Sequence, residues 1–246
     1  MDRTEWISKC NEWKTKWPVI NNSHLENSEV GLDIYAVLHH INEFSKPEDI
    51  LMGDAGSISY AGPVALEAKI GQRFIFSPAQ ADMGWALPAS IGVALASGQR
   101  VIAIIGDGSF MSNLQELAVV REHLLNIKFV ILNNDGYLSI RNTQSRFYNR
   151  VHGVDSKSGL WFPNFYDVAN TFDIAYAECY NTNSLQNLET VFSSNGPAII
   201  NCICKYDQQI LPSQTYRDGI QAPLHDLAPL LDKEEIKQEM FYKDLV

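Results

Sequence analysis

The chain has little of what would mark a secreted scaffold, a nucleic-acid binder or a membrane protein. It has four cysteines, Cys10, Cys179, Cys202 and Cys204, and no two of them form a C-x-x-C pair. That excludes the usual zinc-ribbon and dithiol redox spacings and leaves core thiols of a reducing, cytoplasmic compartment as the expectation. Cys202 and Cys204 alternate within an apolar stretch, so both are expected on one face of a buried strand. Lys and Arg number 19 against 29 Asp and Glu, a formal net charge of −10. A nucleic-acid surface needs a dense field of positive charge, so none is expected. No apolar run approaches the roughly 20 residues that span a bilayer. The first residues, Met1-Asp2-Arg3-Thr4-Glu5-Trp6, are too polar for a secretory signal. Internal repeats and low-complexity tracts are absent from the text. What remains is an ordinary globular composition, 46% hydrophobic and 20% charged, long enough for one large α/β domain or two small ones.

Trp6, Cys10, Trp13 and Trp17 recur at helical spacing, which predicts an amphipathic helix ended by Pro18. Its apolar stripe predicts docking on something, and hence self-association. Residues 1–28 therefore read as a helix and a polar linker, 29–212 as the main domain, and 213–246 as a polar tail with one apolar cluster from Leu224 to Leu231. Within the main domain Ile34, Tyr35, Leu38 and Ile41 mark a helix. Strands are predicted at 50–54, 73–76, 101–105, 128–132, 174–178 and 198–203. Helices are predicted at 88–96, 110–124, 166–172 and 184–193. Val101–Ile105 and Lys128–Leu132 are nearly continuous runs of branched apolar residues, as central parallel strands buried on both faces require. Alternating strands and helices imply an α/β fold, a doubly wound parallel sheet with helices on both faces. Such sheets bind ligands at the carboxyl ends of their strands.

The informative stretch is Gly106-Asp107-Gly108-Ser109, followed through Leu132 by Asn133-Asn134. Asp107 ends a predicted buried strand, so its carboxylate emerges at the carboxyl edge of the sheet. Gly106 and Gly108 remove side chains and let backbone N–H groups face a ligand. The next helix aims its N-terminus at the same place, which favours a phosphate. Asn134 ends the following strand and brings an amide oxygen beside Asp107. One carboxylate, one amide oxygen, a backbone carbonyl and diphosphate oxygens would make a shell suited to Mg²⁺. The alternative reading has Asp107 as a helix cap and Asn134 as a turn residue.

The text GDGSFMSNLQELAVVREHLLNIKFVILNNDGY resembles the thiamine diphosphate (ThDP) binding motif of the acetolactate synthase, pyruvate oxidase and decarboxylase superfamily. SPAQADMGWALPASIGVALA, from residue 77, is similar to the segment that cups the cofactor's aminopyrimidine ring in that family. ILMGDAGS before it and PAIINCICKYDQQILPS after it extend the likeness over nearly the whole chain. It is nearest to acetolactate-synthase-like proteins, whose last domain this would be. NNDGYLSIRNTQSRFY resembles members associated with bacterial surface-polysaccharide enzymes. The resemblance implies that Asp107 and Asn134 offer side chains, and Gly136 a carbonyl, to Mg²⁺. It implies that Gly106, Gly108 and Ser109 meet the diphosphate, that Met83 wedges between the two rings, and that the Ala81 carbonyl faces the 4′-amino group. Ser57 and Ile58 stand where acetolactate synthases carry Gln and His on the diphosphate, a departure from the family pattern.

In the resembling family a glutamate on pyrimidine N1′ activates the cofactor from a separate N-terminal domain, across a dimer interface. Glu29, Glu43 and Glu48 lack its strand-end context. The expectation is therefore a partner chain or domain carrying the pyrimidine-binding half with its Glu, in a homo- or hetero-oligomer. A split enzyme and one part of a longer chain both fit; Met1 suits the first. The expected activity is decarboxylation of a 2-oxo acid with transfer of the acyl unit to an acceptor carbonyl. Simple decarboxylation, or a scaffold without turnover, is the alternative. His39 and His40 read as helix residues, His123 as a residue near a helix C-terminus, and His152 as a loop residue able to face substrate. Thr143 aligns with a Trp that helps select a small second substrate in acetolactate synthases. With Arg141 and Gln144 nearby, this predicts a bulkier, more polar acceptor such as a keto sugar.

Overall fold

The computed structural model describes residues 2–240; Met1 at the head of the expected N-terminal segment and 241–246 at the end of the expected tail lie outside them. The described chain divides into two compact units, 2–208 and 209–240.

The first unit opens with helix α1 (Arg3–Lys16), the short α2 (Asn22–Leu25) and α3 (Ile34–Phe44). It continues through β1 (Ile50–Gly53), α4 (Ser57–Ala65), β2 (Arg73–Phe76), α5 (Ala86–Ser97) and β3 (Val101–Gly106). Then come α6 (Asp107–Phe110), a 3₁₀ stretch (Met111–Glu116), α7 (Leu117–Glu122), β4 (Ile127–Asn133) and α8 (Leu138–Tyr148). It closes with α9 (Phe165–Thr171), β5 (Ala175–Cys179), α10 (Asn187–Ser193) and β6 (Ala198–Ile203).

The six strands form one parallel sheet in the order β2-β1-β3-β4-β6-β5. This is the doubly wound architecture that the alternation of strands and helices predicts. Branched residues fill its centre: every residue from Val101 to Ile105 and from Ile127 to Leu132 is buried. One face carries Met52, Ala103, Ile105, Phe129 and Ile131 against α5 and the aromatic group Phe110 and Phe165. On the other side α3 packs on α4 and α10. From β1 the chain runs outward to β2 and then returns to β3 on the opposite flank. A crevice opens at such a reversal, above the carboxyl ends of β1 and β3.

Four departures from the sequence reading have physical causes. The expected helix 110–124 is interrupted at Asn113 (φ −139°, ψ 33°). There the Asn113 side chain leaves the helical path and donates to the Gly84 carbonyl at 2.8 Å. Helix α4 escapes the reading because Pro63 lies inside it and Gly62 breaks its pattern. A Cβ at 62 would meet the Phe74 ring at 2.9 Å, so a side chain there would have to displace that ring. Helix α8 escapes because only Leu138 and Arg141 of its residues are buried, which leaves no apolar period to read. The expected linker contains α2, capped by Asn21 accepting from Ser23 N–H.

Helix α1 does form over the tryptophan stripe, but none of its residues is buried. Trp6 and Trp13 meet edge to face at 6.0 Å. Cys179, Cys202 and Cys204 are buried free thiols, and Cys179 is the register partner of Cys202. No helix among the described residues is long and apolar enough to cross a membrane.

The second unit holds a two-stranded hairpin, β7 (Tyr216–Arg217) with β8 (Ile220–Gln221), and the helix α11 (Lys233–Glu239). The hairpin turns on Asp218 and Gly219, both at positive φ, as a two-residue loop between twisted strands demands. Arg217 fastens the unit internally through Asp226 and the Leu231 carbonyl at 2.6 Å.

Lys128 is the unusual core residue. It sits fully buried in β4 and donates to the carbonyls of Ser194 (3.0 Å) and Gly196 (2.6 Å) and to the Ser194 hydroxyl. Burial, with Arg100 nearby, pulls its ammonium down from 10.5 to about 8. Between these values the native chain has released a proton that the unfolded chain still holds, so stability rises with pH there. We expect urea midpoints to climb between pH 8 and 10 by an amount worth on the order of 2 kcal/mol, and Lys128→Met to flatten that rise. An equal rise in the variant would show that Lys128 is not its source.

Candidate functional site

The reversal in strand order produces the expected crevice. Its walls come from three strand ends: Ala55–Ile58 after β1, Gly106–Ser109 after β3, and Asn134 with Gly136–Ile140 after β4. Met83 closes one side from the loop before α5. Ser57, Met83, Gly106, Asp107, Gly108, Ser109, Asn134 and Gly136, widely separated in sequence, thus meet in one space. Ala81 does not line it; it sits on the Met83 loop, exposed, with φ +54°. Ile58, the other departure from the family pattern, lines the wall beside Ser57.

Asp107 is 1% exposed. Its Oδ1 accepts from Gly108 N–H and its Oδ2 from Gly136 N–H, each at 2.8 Å. Burial pushes its pKa up to about 6, against the lowering effect of those two N–H groups. The carboxylate therefore ties the end of β3 to the turn after β4. That turn is crowded. Gly136 has φ +127°, and a Cβ there would lie 2.0 Å from the Val154 carbonyl oxygen. A Cβ on Gly108 would lie 2.3 Å from the Tyr137 ring. Gly106 differs, because a Cβ on it would meet nothing within 4 Å. Its bare backbone borders open crevice, where a ligand can come close.

Asn134 supplies the observation that bears on a metal. Its Oδ1 is buried without a hydrogen-bond partner among the described residues. Such an atom is costly unless something answers it. A cation answers an amide oxygen. The donors here, one carboxylate, one amide oxygen and the Gly136 carbonyl, are all hard oxygens, which suits Mg²⁺ or Ca²⁺ rather than a thiolate-loving ion. Among the described residues no group of three His, Cys, Asp or Glu is placed to hold a metal by itself. A cation at Asp107 and Asn134 would complete its shell from a ligand or water.

Three residues given no role in the sequence reading stand behind this site. Asn133, the first of the Asn pair, accepts from Asp135 N–H at 3.3 Å and donates to Asn201 at 3.0 Å, which shapes the turn. Tyr137 donates its N–H to Val154 at 2.9 Å and stacks its ring over Gly108. Asp54 ends β1 as Asp107 ends β3, and it is 2% exposed. Its signal was legible: Gly-Asp closes two apolar runs, at 53–54 and at 106–107.

Arg141 corrects an expectation. Rather than facing an acceptor it is 3% exposed and turned inward. It donates to the Asn134 carbonyl (3.0 Å), the Asp135 carbonyl (3.1 Å) and the Tyr206 carbonyl. Thr143 is exposed and bonds back to the Ser139 carbonyl at 2.9 Å, outside the crevice walls. Gln144 clasps the backbone of exposed His152. His40 is buried with Nδ1 on the Ala36 carbonyl, and His39 lies 3.7 Å from Glu43. His123 caps α7. None of these histidines lines the crevice. Glu29, Glu43 and Glu48 are exposed.

The chain is similar to known proteins over most of its length. Residues 39–202 match the family described as thiamine pyrophosphate enzyme, C-terminal TPP binding domain. The chain is 28% identical over 231 residues to acetolactate synthase 3, chloroplastic, of Brassica napus, a match covering 89% of this chain and 35% of that protein. It is 27% identical to the acetolactate synthase large subunit of Cyanidium caldarium, covering 86% and 36%. Against acetolactate synthase, chloroplastic, of Arabidopsis thaliana it is 28% identical, covering 86% and 32%. The chain spans about a third of the length of these curated relatives.

The glycine geometry yields a paired expectation. Gly136→Ala adds a Cβ into the Val154 carbonyl at a backbone angle hostile to it, and should cost about 3 kcal/mol or more. Gly106→Ala, with open space before it, should change stability by less than about 1 kcal/mol. Thermal unfolding of both variants checks this; equal losses would mean that the Asp107–Gly136 turn does not impose its shape.

Proposed function

The chain belongs to the family of thiamine pyrophosphate enzyme C-terminal, TPP-binding domains, and on that premise we propose that its crevice holds ThDP through a divalent cation, Mg²⁺. The observation that carries the cation is the unanswered Oδ1 of Asn134 on the wall that Asp107 shares. The Asp107 carboxylate, Asn134 Oδ1 and the Gly136 carbonyl would hold the metal, with diphosphate oxygens supplying the rest of its oxygen shell. Gly106 and Gly108 let the diphosphate approach the backbone, at the N-terminal end of α6, while Ser109 and Ser57 offer hydroxyls. Met83 stands where a wedge between the two rings belongs. The Ala81 carbonyl, on the same loop, is the acceptor for the 4′-amino group.

When bound, ThDP supplies a carbon nucleophile and an electron sink for cleaving the bond beside a 2-oxo acid's carbonyl. The residues of this chain hold and orient it. Leu132 and Leu138, both buried, give the crevice an apolar floor beside these groups. The group that exchanges a proton with pyrimidine N1′, a glutamate, comes on this reading from another domain or chain. The complete enzyme decarboxylates a 2-oxo acid such as pyruvate and passes the acyl unit to an acceptor carbonyl. That assignment rests on the acetolactate synthases among its relatives. With Thr143 and Arg141 outside the crevice walls, these two residues give no support to a keto-sugar acceptor.

Calorimetry on the full chain tests the binding reading. ThDP should bind with Mg²⁺ present and fail to bind in excess chelator. Asp107→Ala should weaken binding by at least about a hundredfold, as loss of a charged ligand does. Asp107→Ala binding ThDP as tightly as the parent would refute the site. Pyruvate turnover should appear only when a glutamate-bearing pyrimidine half is added; rapid turnover by the chain alone would refute the divided-site reading.

A further inference from the structure

Asp54 carries no role in the reading above, yet it touches both lips of the crevice. Its Oδ1 accepts from Ala55 N–H at 2.8 Å, and its Oδ2 from Gly84 N–H at 3.0 Å. Ala55 begins the wall that runs to Ile58, and Gly84 follows Met83, which forms the opposite wall. The carboxylate also faces the N–H groups of Trp85, the residue before α5, and of Ala86, its first residue. Trp85 has no side chain able to cap that helix. Asp54 therefore caps α5 from a different strand, with a negative charge at the helix end that favours one.

Gly84 is the point where the Met83 loop is fastened. It is buried, between exposed Met83 and half-buried Trp85. It has φ +82°, and a Cβ on it would lie 2.7 Å from Ser112 Cβ. While Asp54 holds its N–H, Asn113 donates to its carbonyl at 2.8 Å. The break in helix at Asn113 is what allows that reach. The peptide units on both sides of Gly84 are thus held, and Met83, 47% exposed, lies next to it. The residues from Ala81 to Met83 are exposed; Ala81 N–H donates to the Ser77 carbonyl at 3.2 Å and the Ser77 hydroxyl donates to Asp82 at 3.1 Å.

We propose that Asp54 and Asn113 are positioning residues that latch Gly84 and thereby set the Met83 wall at the width the cofactor rings need, independently of the metal corner. The proposal rests on the ThDP reading of the crevice. It predicts a division of labour. The corner of Asp107, Asn134 and Gly136 grips metal and diphosphate, while the latch acts only on a ligand that carries the rings.

Two probes separate these on the full chain, ThDP with Mg²⁺ and inorganic pyrophosphate with Mg²⁺. Pyrophosphate presents the metal corner with its ligand and leaves the Met83 wall empty. In Asp54→Ala, ThDP affinity should fall by about tenfold or more, while pyrophosphate affinity should change by less than about threefold. Asn113→Ala, on a half-buried residue and so safe for folding, should show the same split in smaller measure, and it decides the matter if Asp54→Ala fails to fold. Asp54→Asn, which keeps one acceptor oxygen, should fall between parent and Asp54→Ala. An unchanged ratio of the two affinities in Asp54→Ala and Asn113→Ala would overturn the latch. Equal loss of both ligands would overturn it too, since Asp54 would then support the crevice as a whole. If the parent binds pyrophosphate but not ThDP, the latch falls and the metal corner stands; if it binds neither, the proposed function falls with it.

Discussion

A carboxylate moved out of water loses hydration that only hydrogen bonds or charge can replace. Asp107 is in that position at the end of β3, with a pKa raised to about 6 by burial. Its two backbone donors come from different segments, Gly108 beside it and Gly136 in the turn after β4. To deliver the second N–H, the turn must adopt a positive φ at Gly136 and press against Val154, and neither tolerates a side chain. The choice of glycine at two positions, the course of loop 150–158 and the join between two central strands all follow from satisfying one buried charge. The same join places Asn134 where its own oxygen is left unanswered.

The sheet uses this device twice. Gly53-Asp54 and Gly106-Asp107 end neighbouring strands on either side of the reversal in strand order. Each aspartate is buried, each is raised to about 6 by that burial, and each binds the N–H of the following residue and one from a distant loop. The second partner differs, Gly84 for Asp54 and Gly136 for Asp107. Two carboxylates thus fix the two sides of a single crevice to the rigid sheet. Precision at the mouth of a doubly wound sheet comes from strand ends, which the core immobilises.

How much of this was legible depended on the kind of signal. The central strands were plain, since residues such as Ile102, Ile104, Val130 and Ile131 announce burial on both faces by composition alone. The meeting of Asp107 and Asn134 was plain because both follow such runs directly, so their position on the carboxyl edge needs no side-chain geometry. Helix α8 was not legible, because its buried face consists of Leu138 and Arg141 and carries no periodic apolar stripe. The interruption at Asn113 was not legible either, because its cause lies in Gly84, 29 residues away. Local pattern reports what a segment does with its own neighbours. It is silent where a side chain leaves its own element to serve another.

Arg141 is the sharpest instance. An arginine on a polar segment, seen in sequence, reads as a solvent-facing charge available to a ligand. Packed in the fold it has no solvent face: its guanidinium lies 3.7 Å from the Tyr206 ring centroid and 3.8 Å from the Asp155 carboxylate. Tyr206 in turn donates its hydroxyl to Asp155. The planar fork can donate to the Asn134, Asp135 and Tyr206 carbonyls together while its face covers an aromatic ring, which the point charge of a lysine could not do. Two of these carbonyls, of Asn134 and Asp135, belong to the turn that holds Asn134 and Gly136, so the charge that looked free for a substrate is spent on the backbone beside Asp107. The buried carboxylate of Asp107 fixes that turn through an N–H, and the buried guanidinium of Arg141 fixes it through the C=O groups. With donor and acceptor sides both held, the orientation of Asn134 follows from the fold and does not wait for a ligand to impose it.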